Sequence, residues 1–147
     1  MIKDYQNIVL EATDGNNYSL ADFKGKKLVL YFYPKDNTPG CTIESKDFTC
    51  LSDDFKAKGY LIIGVSKDTI KSHYKFIDTQ ELNLLLLADP NKELIEAFDI
   101  LKEKSMFGKK YMGVVRSTFI INEEGKVVKE YRNVKAANHA QTVLDEL

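Results

Sequence analysis

The stretch Tyr31-Phe32-Tyr33-Pro34-Lys35-Asp36-Asn37-Thr38-Pro39-Gly40-Cys41-Thr42-Ile43-Glu44 carries the chain from an apolar strand through a turn into a helix, and the fold is read outward from it. Lys27 to Tyr33 is almost continuously apolar and rich in β-formers, the composition of a central strand covered on both faces. Thr38 is a preferred N-cap residue, and Pro39 suits the first helical position, where its missing N–H would lack an intrahelical partner anyway. Cys41 therefore falls in the opening turn of a helix. Unpaired backbone N–H groups and the positive end of the helix dipole favour a thiolate there over a thiol. The same N–H groups can receive an oxygen that becomes negative during a reaction. One turn thus offers a nucleophile and a place for developing charge.

Before this stretch, residues 7–20 read as a hairpin, Asn7 to Ala12 and Asn17 to Leu20, with turn residues at Asp14-Gly15-Asn16-Asn17. Leu20 to Phe23 reads as one helical turn ended by Lys24-Gly25. After it, the helix from Cys41 is predicted to run to about Lys58, with Ile43, Phe48, Leu51 and Phe55 as its apolar face and Gly59 as its stop. Tyr60 to Ser66 is a second buried strand, and Asp68 is predicted to cap a helix through about Thr79 with Ile70, Tyr74 and Ile77 inward. Leu84 to Ala88 is a third strand, and Asp89-Pro90 opens a helix to about Phe98. The lysine-rich segment Ile100 to Met112 reads as a solvated loop. Residues 116–122 and 126–134 form strands joined at Glu123-Glu124-Gly125, and Ala137 to Leu147 closes with an amphipathic helix, Ala140, Val143, Leu144 and Leu147 inward. Strands alternating with helices predict a mixed α/β sandwich.

The 147 residues are 44% hydrophobic and 29% charged with a net charge of −1, the balance of an ordinary globular domain without the basic excess expected of a nucleic-acid partner. Residues 1–147 are read as a single domain. Met1 to Asn7 has neither a long apolar core nor a cleavage pattern for secretion, and no apolar run approaches a membrane span. Two cysteines and two distant histidines, His73 and His139, form no recognisable metal-ligand cluster. His73 alone reads as a surface or packed histidine. The expectation is a cytoplasmic thiol or redox enzyme with neither metal nor cofactor.

The pattern Pro34, three residues, Thr38, two residues, Cys41 resembles the active-site motif of peroxiredoxins. The fuller run FYPKDNTPGCTIE, Phe32 to Glu44, resembles the PrxQ or bacterioferritin comigratory protein branch. The order of elements resembles the thioredoxin-like α/β fold with an N-terminal hairpin and the insertions that peroxiredoxins carry, over almost the whole chain. The resemblance implies thiol-dependent reduction of hydrogen peroxide and organic hydroperoxides. Carried over by position, Cys41 is the attacking thiolate that passes through a sulfenic acid. Thr38 and the backbone amides of Gly40 and Cys41 hold the peroxide oxygens, and Pro34 and Pro39 shield the site. Arg116, in Gly113-Val114-Val115-Arg116-Ser117-Thr118-Phe119, resembles the family arginine that lies against the cysteine, where a guanidinium stays charged and offers a planar fork of donors. Glu44 resembles the glutamate that orients an arginine. The implied partners are a hydroperoxide and thioredoxin or another thiol reductant, and the implied state is a monomer, with a weak dimer as the alternative.

A thioredoxin-fold thiol–disulfide oxidoreductase or thiol-binding module is the competing function. Such reductases use Cys-x-x-Cys, and the residue three after Cys41 is Glu44. In the commonest PrxQ pattern a second cysteine lies five residues after the first, a position held here by Lys46, which leaves Cys50 as the other cysteine. Along a continuous helix, nine steps separate Cys41 and Cys50 by about 14 Å on opposite faces. A disulfide needs its Cα atoms within about 7 Å. Cys50 also borders Ile43 and Leu51, a place for a packing cysteine. Two readings stand. Either Cys50 resolves the Cys41 sulfenic acid after the helix unwinds, which the polar run Glu44-Ser45-Lys46-Asp47 makes less costly, or Cys50 packs and an external thiol does the work.

Overall fold

In the computed structural model, which describes residues 2–147, the chain begins with a short hairpin, β1 (Leu10–Ala12) and β2 (Asn17–Tyr18), and a 3-10 turn at Leu20–Phe23. The apolar run follows as β3 (Lys27–Phe32), then α1 (Pro39–Cys50), α2 (Ser52–Ala57), β4 (Tyr60–Ser66), α3 (Ile70–Gln80) and β5 (Leu85–Ala88). The second half is α4 (Glu93–Ala97), β6 (Leu101–Met106), β7 (Lys109–Val114), β8 (Ser117–Ile121), β9 (Val127–Tyr131) and α5 (His139–Asp145). Seven strands form one sheet in the order β2-β1-β5-β4-β3-β8-β9, with β3, β4 and β5 parallel and β8 antiparallel to β3. This is the mixed α/β sheet expected from the alternation of strands and helices.

Because β3 is paired on both edges, its alternate side chains feed two cores. Leu28, Leu30 and Phe32 join Ile63, Val65, Leu87, Phe98 and Phe119 on one face. Val29, Tyr31 and Tyr33 join Phe48, Phe55, Phe76, Val143 and Leu144 on the other, where α1, α2, α3 and α5 lie and where Cys41 is buried. Burying a large apolar side chain is worth about 1.5–3 kcal/mol relative to leaving it exposed, so both faces of β3 are strongly specified. The strand ends at Phe32, and its C-terminal end hands the chain directly to the turn that starts α1.

Several local expectations are corrected. The helix expected to run to Lys58 is broken: the Leu51 N–H is shared between the carbonyls of Asp47 and Thr49, tightening the turn before α2 resumes. Ile43 is 49% exposed, and the inward positions of α1 are Cys41, Glu44, Ser45 and Phe48. Polar Glu44 and Ser45 take the buried face because each has a partner there, Arg116 for Glu44 and the Tyr31 hydroxyl, 2.9 Å away, for Ser45. Thr69, in place of Asp68, caps α3 by accepting from the Ser72 N–H at 3.2 Å. Tyr74 is exposed, and His73 and Phe76 are the fully buried residues of that helix. Asp89 caps the short α4 from a distance, accepting from the N–H groups of Glu93 and Ile95, each at 2.9 Å.

The largest correction is at residues 100–112. The expected loop is an antiparallel ribbon, β6 against β7, turned by Phe107 and Gly108, both at positive φ (53° and 77°) as a two-residue hairpin turn of that twist requires. Most of both faces is exposed, so the ribbon lacks the apolar alternation by which a half-buried strand is recognised. Among the described residues no helix is long and apolar enough to cross a membrane.

The packing around β3 leaves no slack at Gly64, where an added Cβ would lie 2.7 Å from both Tyr31 and Leu86. Gly64→Ala is expected to lower the unfolding free energy by about 1–3 kcal/mol, read from urea denaturation; an unchanged midpoint would refute that packing.

Candidate functional site

Cys41 is the third residue of α1, after Pro39 and Gly40, and its side chain is buried at 1% exposure. The first backbone bond of the helix runs from Thr42 N to Thr38 O at 2.9 Å. The N–H groups of Gly40 and Cys41 therefore precede the point where intrahelical acceptors begin. Arg116 enters from the segment between β7 and β8. Its Nη2 lies 3.3 Å from Cys41 Sγ, and its Nη1 donates to Glu44 Oε1 at 2.6 Å. Glu44 is three residues beyond Cys41, hence on the same side of the helix, and one guanidinium spans both. The approach is close enough to require glycine beside it: a Cβ on Gly40 would sit 3.1 Å from Arg116 Nη2.

Electrostatics follow from burial. Glu44 is fully buried, and desolvation pushes its carboxyl up to about 7 against the pull of Arg116. Its Oε2 has no hydrogen-bond partner among the described residues, which adds to the cost of the charged form. Burial draws the Arg116 guanidinium down, but Glu44 and Cys41 beside it push it up further, so it remains a fixed cation. Behind this group, His139 at the start of α5 is buried against Phe48 and Tyr131, with Nε2 2.7 Å from Thr118 Oγ1. Desolvation, with Arg116 adding to it, lowers that imidazole to about 4.

The structure thus brings Cys41, Gly40, Glu44 and Arg116 together, as their positions in the sequence suggest. Thr38 stands at the N-cap, but its hydroxyl makes no cap; it donates to the Lys35 carbonyl at 2.8 Å. Pro34 is half-buried and Pro39 exposed. Cys50 does not pack against an apolar face: it is an exposed free thiol on the last residue of α1. No spacing in the sequence pairs Asp36 with His73, yet His73 Nδ1 lies 2.8 Å from Asp36 Oδ2 in a buried site beside the turn. The three-residue spacing of His73 and Phe76 is the signal that places that histidine on the inward face of α3. A cavity of about 450 Å³, lined by residues such as Lys56, Tyr60, Leu61 and Leu84, adjoins the start of β4 and does not include Cys41.

The AhpC/TSA family profile matches residues 3–130. The chain is 47% identical to peroxiredoxin Bcp of Bacillus subtilis over 141 residues, 96% of this chain and 90% of that one. It is 45% identical to peroxiredoxin Bcp of Xanthomonas campestris pv. campestris over 141 residues, 96% and 88% of the two chains. Its fold superposes on a structure of the Xanthomonas campestris bacterioferritin comigratory protein, studied for alkyl peroxide reduction, with TM-score 0.92 and 43% identity over 97% of this chain and 90% of that one. A Xylella fastidiosa PrxQ structure gives TM-score 0.92 at 37% identity over 99% and 94%.

His139 generates a pH prediction. An unfolded histidine titrates near 6.5 and this one near 4, so the unfolded chain takes up the proton first as pH falls. The stabilisation is complete above pH 6.5 and is lost between about 6.5 and 4. Glu44, raised instead, acts in the opposite sense across about pH 4.5 to 7, and comparison with a variant cancels its share. Between pH 7 and 4.5 the wild type is expected to lose about 2 kcal/mol more unfolding free energy than His139→Gln. Parallel losses in urea titrations would remove the buried neutral imidazole from the account.

Proposed function

Since this chain belongs to the AhpC/TSA family, we propose that the cluster around Cys41 is the catalytic site of a thiol-dependent peroxidase, a peroxiredoxin of the Bcp or PrxQ kind. The observation that carries the assignment is the placement of Arg116 Nη2 3.3 Å from the Cys41 sulfur at a helix N-terminus. The Cys41 thiolate attacks one oxygen of the hydroperoxide; an S–O bond forms, the O–O bond breaks, and the departing alkoxide or hydroxide takes a proton. The products are a Cys41 sulfenic acid and an alcohol or water. Arg116 and the amides of Gly40 and Cys41 face the charge that develops on the leaving oxygen. Thr38 spends its one hydroxyl hydrogen on Lys35, so its lone pairs are left to accept the peroxide O–H. Glu44 holds the second arm of the guanidinium and so fixes the direction of the first.

The Arg116 cation 3.3 Å from the Cys41 sulfur, placed to stabilise a departing oxyanion, favours this reading over a thiol–disulfide oxidoreductase. So does the residue three after Cys41, a buried glutamate in place of a second cysteine. Two thiol equivalents return the sulfenic acid to thiol. In our reading they come from thioredoxin or another thiol, and residues 1–147 work as one domain and as a monomer in the cytoplasm, in keeping with two free cysteines.

Cys50 is the internal candidate for resolution. Its exposure and its place at the end of α1, next to the break at Leu51, support that role. Reaching Cys41 requires α1 to unwind, and the run from Glu44 to Asp47 is a stronger obstacle than its polarity suggests. Glu44 and Ser45 are buried and bonded to Arg116 and Tyr31, and both bonds must break. The alternative is direct reduction of the sulfenic acid by an external thiol.

Cys41→Ser is expected to abolish peroxide consumption with a thiol reductant while leaving the circular dichroism spectrum unchanged, and substantial residual turnover would remove Cys41 from the mechanism. Arg116→Met should slow the reaction with peroxide by at least about tenfold, the equivalent of one lost charged contact; stopped-flow rates equal to wild type would refute the role. Peptide mapping of wild type and Cys50→Ser after one equivalent of peroxide decides resolution. A Cys41–Cys50 disulfide within one chain, with slower thioredoxin-driven turnover in the variant, establishes Cys50; a persisting sulfenic acid and equal turnover in both assign the step to an external thiol.

A further inference from the structure

The turn that carries Lys35, Asp36, Asn37 and Thr38 has little apolar anchorage: Lys35 and Asn37 are exposed, and Asn37 sits at a left-handed φ of 58°. One residue in it is buried. Asp36, at 6% exposure, accepts from the Tyr33 hydroxyl at 2.6 Å through Oδ1 and from the Ser72 hydroxyl at 2.8 Å through Oδ2. His73 Nδ1 lies 2.8 Å from the same Oδ2, and the Asp36 backbone N–H donates to Asp68 Oδ2 at 2.9 Å. Asp68 in turn takes the Ser66 hydroxyl at 2.6 Å. A single aspartate thus ties the turn to the ends of β3 and β4 and to the first turn of α3.

The protons in this network can be counted. His73 Nε2 is 2.9 Å from the Leu87 carbonyl oxygen, which only accepts, so Nε2 carries hydrogen. An imidazole with hydrogen on Nε2 alone would turn the Nδ1 lone pair onto the carboxylate at 2.8 Å. At 2.8 Å from a carboxylate oxygen, Nδ1 is placed to share a hydrogen with Oδ2. In a site with His73 at 0% and the Asp36 side chain at 2% exposure, that proton converts two repelling acceptors into a charge-assisted bond.

We propose that Asp36 and His73 are positioning residues for the peroxide site, acting through the Lys35 carbonyl on the Thr38 hydroxyl. The proposal rests on the peroxidase reading of Cys41 and adds residues that touch neither sulfur nor substrate. Thr38 Oγ1 gives its hydrogen to the carbonyl of Lys35, the residue next to Asp36. That carbonyl points at Thr38 only while Asp36 is held inward, since the Asn37 backbone conformation is costly and relaxes when its neighbour is released. Freed of Lys35, the hydroxyl rotates, and its lone pairs no longer face an incoming O–H. The sulfur is held separately, by Arg116 and the helix end, so loss of the clasp affects peroxide far more than it affects the reactivity of the thiol itself.

The test compares two reactions of the same sulfur. In Asp36→Ala and His73→Phe the second-order rate with hydrogen peroxide is expected to fall by at least about tenfold. Alkylation of Cys41 by iodoacetamide at the same pH, followed in a Cys50→Ser background so that the exposed thiol does not contribute, is expected to stay within about twofold, since it depends on the thiol and not on Thr38. Asp36→Asn should recover the peroxide rate to within about threefold, because an amide can donate to Nδ1 and accept from Tyr33 without a shared extra proton. Folded Asp36→Ala with a wild-type peroxide rate overturns the role, and so does an equal fall in both reactions, which would mark general damage. A wild type that does not react with peroxide overturns the peroxidase reading and this role with it. A measurement on unaltered protein covers variants that do not fold: the proton spectrum should hold a slowly exchanging downfield resonance correlated with the His73 ring, and its absence refutes the clasp.

Discussion

A carboxylate with no access to water, held by one guanidinium, is the constraint from which the rest of the structure takes its order. Glu44 lies on the buried face of α1 and Arg116 just ahead of β8, and the 2.6 Å contact between them joins two elements far apart in the chain. Separating such a pair leaves a buried carboxyl without its hydrogen-bond partner, a cost of about 1–3 kcal/mol, so α1 cannot slide or rotate freely against the sheet. The second arm of the guanidinium faces the Cys41 sulfur. Structural clamp and chemical environment are therefore one object, and any motion that releases the cysteine must also release the carboxylate.

This coupling explains why polarity misleads along α1. Read as a pattern, Ile43, Phe48, Leu51 and Phe55 describe an apolar stripe, and Glu44 and Ser45 belong to the wet side. In the fold Ile43 faces outward and Glu44 and Ser45 face in. Polarity along α1 does not display the partners, Arg116 and Tyr31, that make burial of those groups tolerable: Arg116, 72 positions away, is reached only through the family resemblance, and Tyr31, on a neighbouring strand, by no signal in α1 at all. The strand β3, by contrast, was legible because its partners on both faces are unspecific: any apolar neighbour satisfies an apolar residue. The same difference separates Cys41, Gly40 and Arg116, found through a local motif and a strand boundary, from Asp36 and His73. Their pairing depends on how α3 packs over the end of β3, a relation that no spacing within either segment records.

The chemistry also depends on where the sheet changes direction. β3, β4 and β5 run parallel, so their C-terminal ends gather at one edge, and α1 and α3 begin there with their N-termini. Tyr33, Ser66 and Ala88 mark that edge, and the hydroxyl and carboxylate groups of the turn around Asp36 are satisfied by residues from it. Antiparallel β8 on the other side of β3 brings Arg116 to the same end by starting there. A cation, a thiol and a capped turn meet at this edge because strand directions place them there.

The ribbon of β6 and β7 stands apart from the main sheet and is closed at its base by a backbone bond, Val115 N to Ile100 O at 2.8 Å. Arg116, one residue on, is pinned again where Val134 N donates to its carbonyl at 3.0 Å. The residues between are a closed detour whose two ends are fixed independently of its length. Paired residues can be added or removed at the tip, two at a time so that each side chain keeps its face, without moving the guanidinium. The fold thus contains a place where the outline of the molecule is free to vary while its chemistry is held constant.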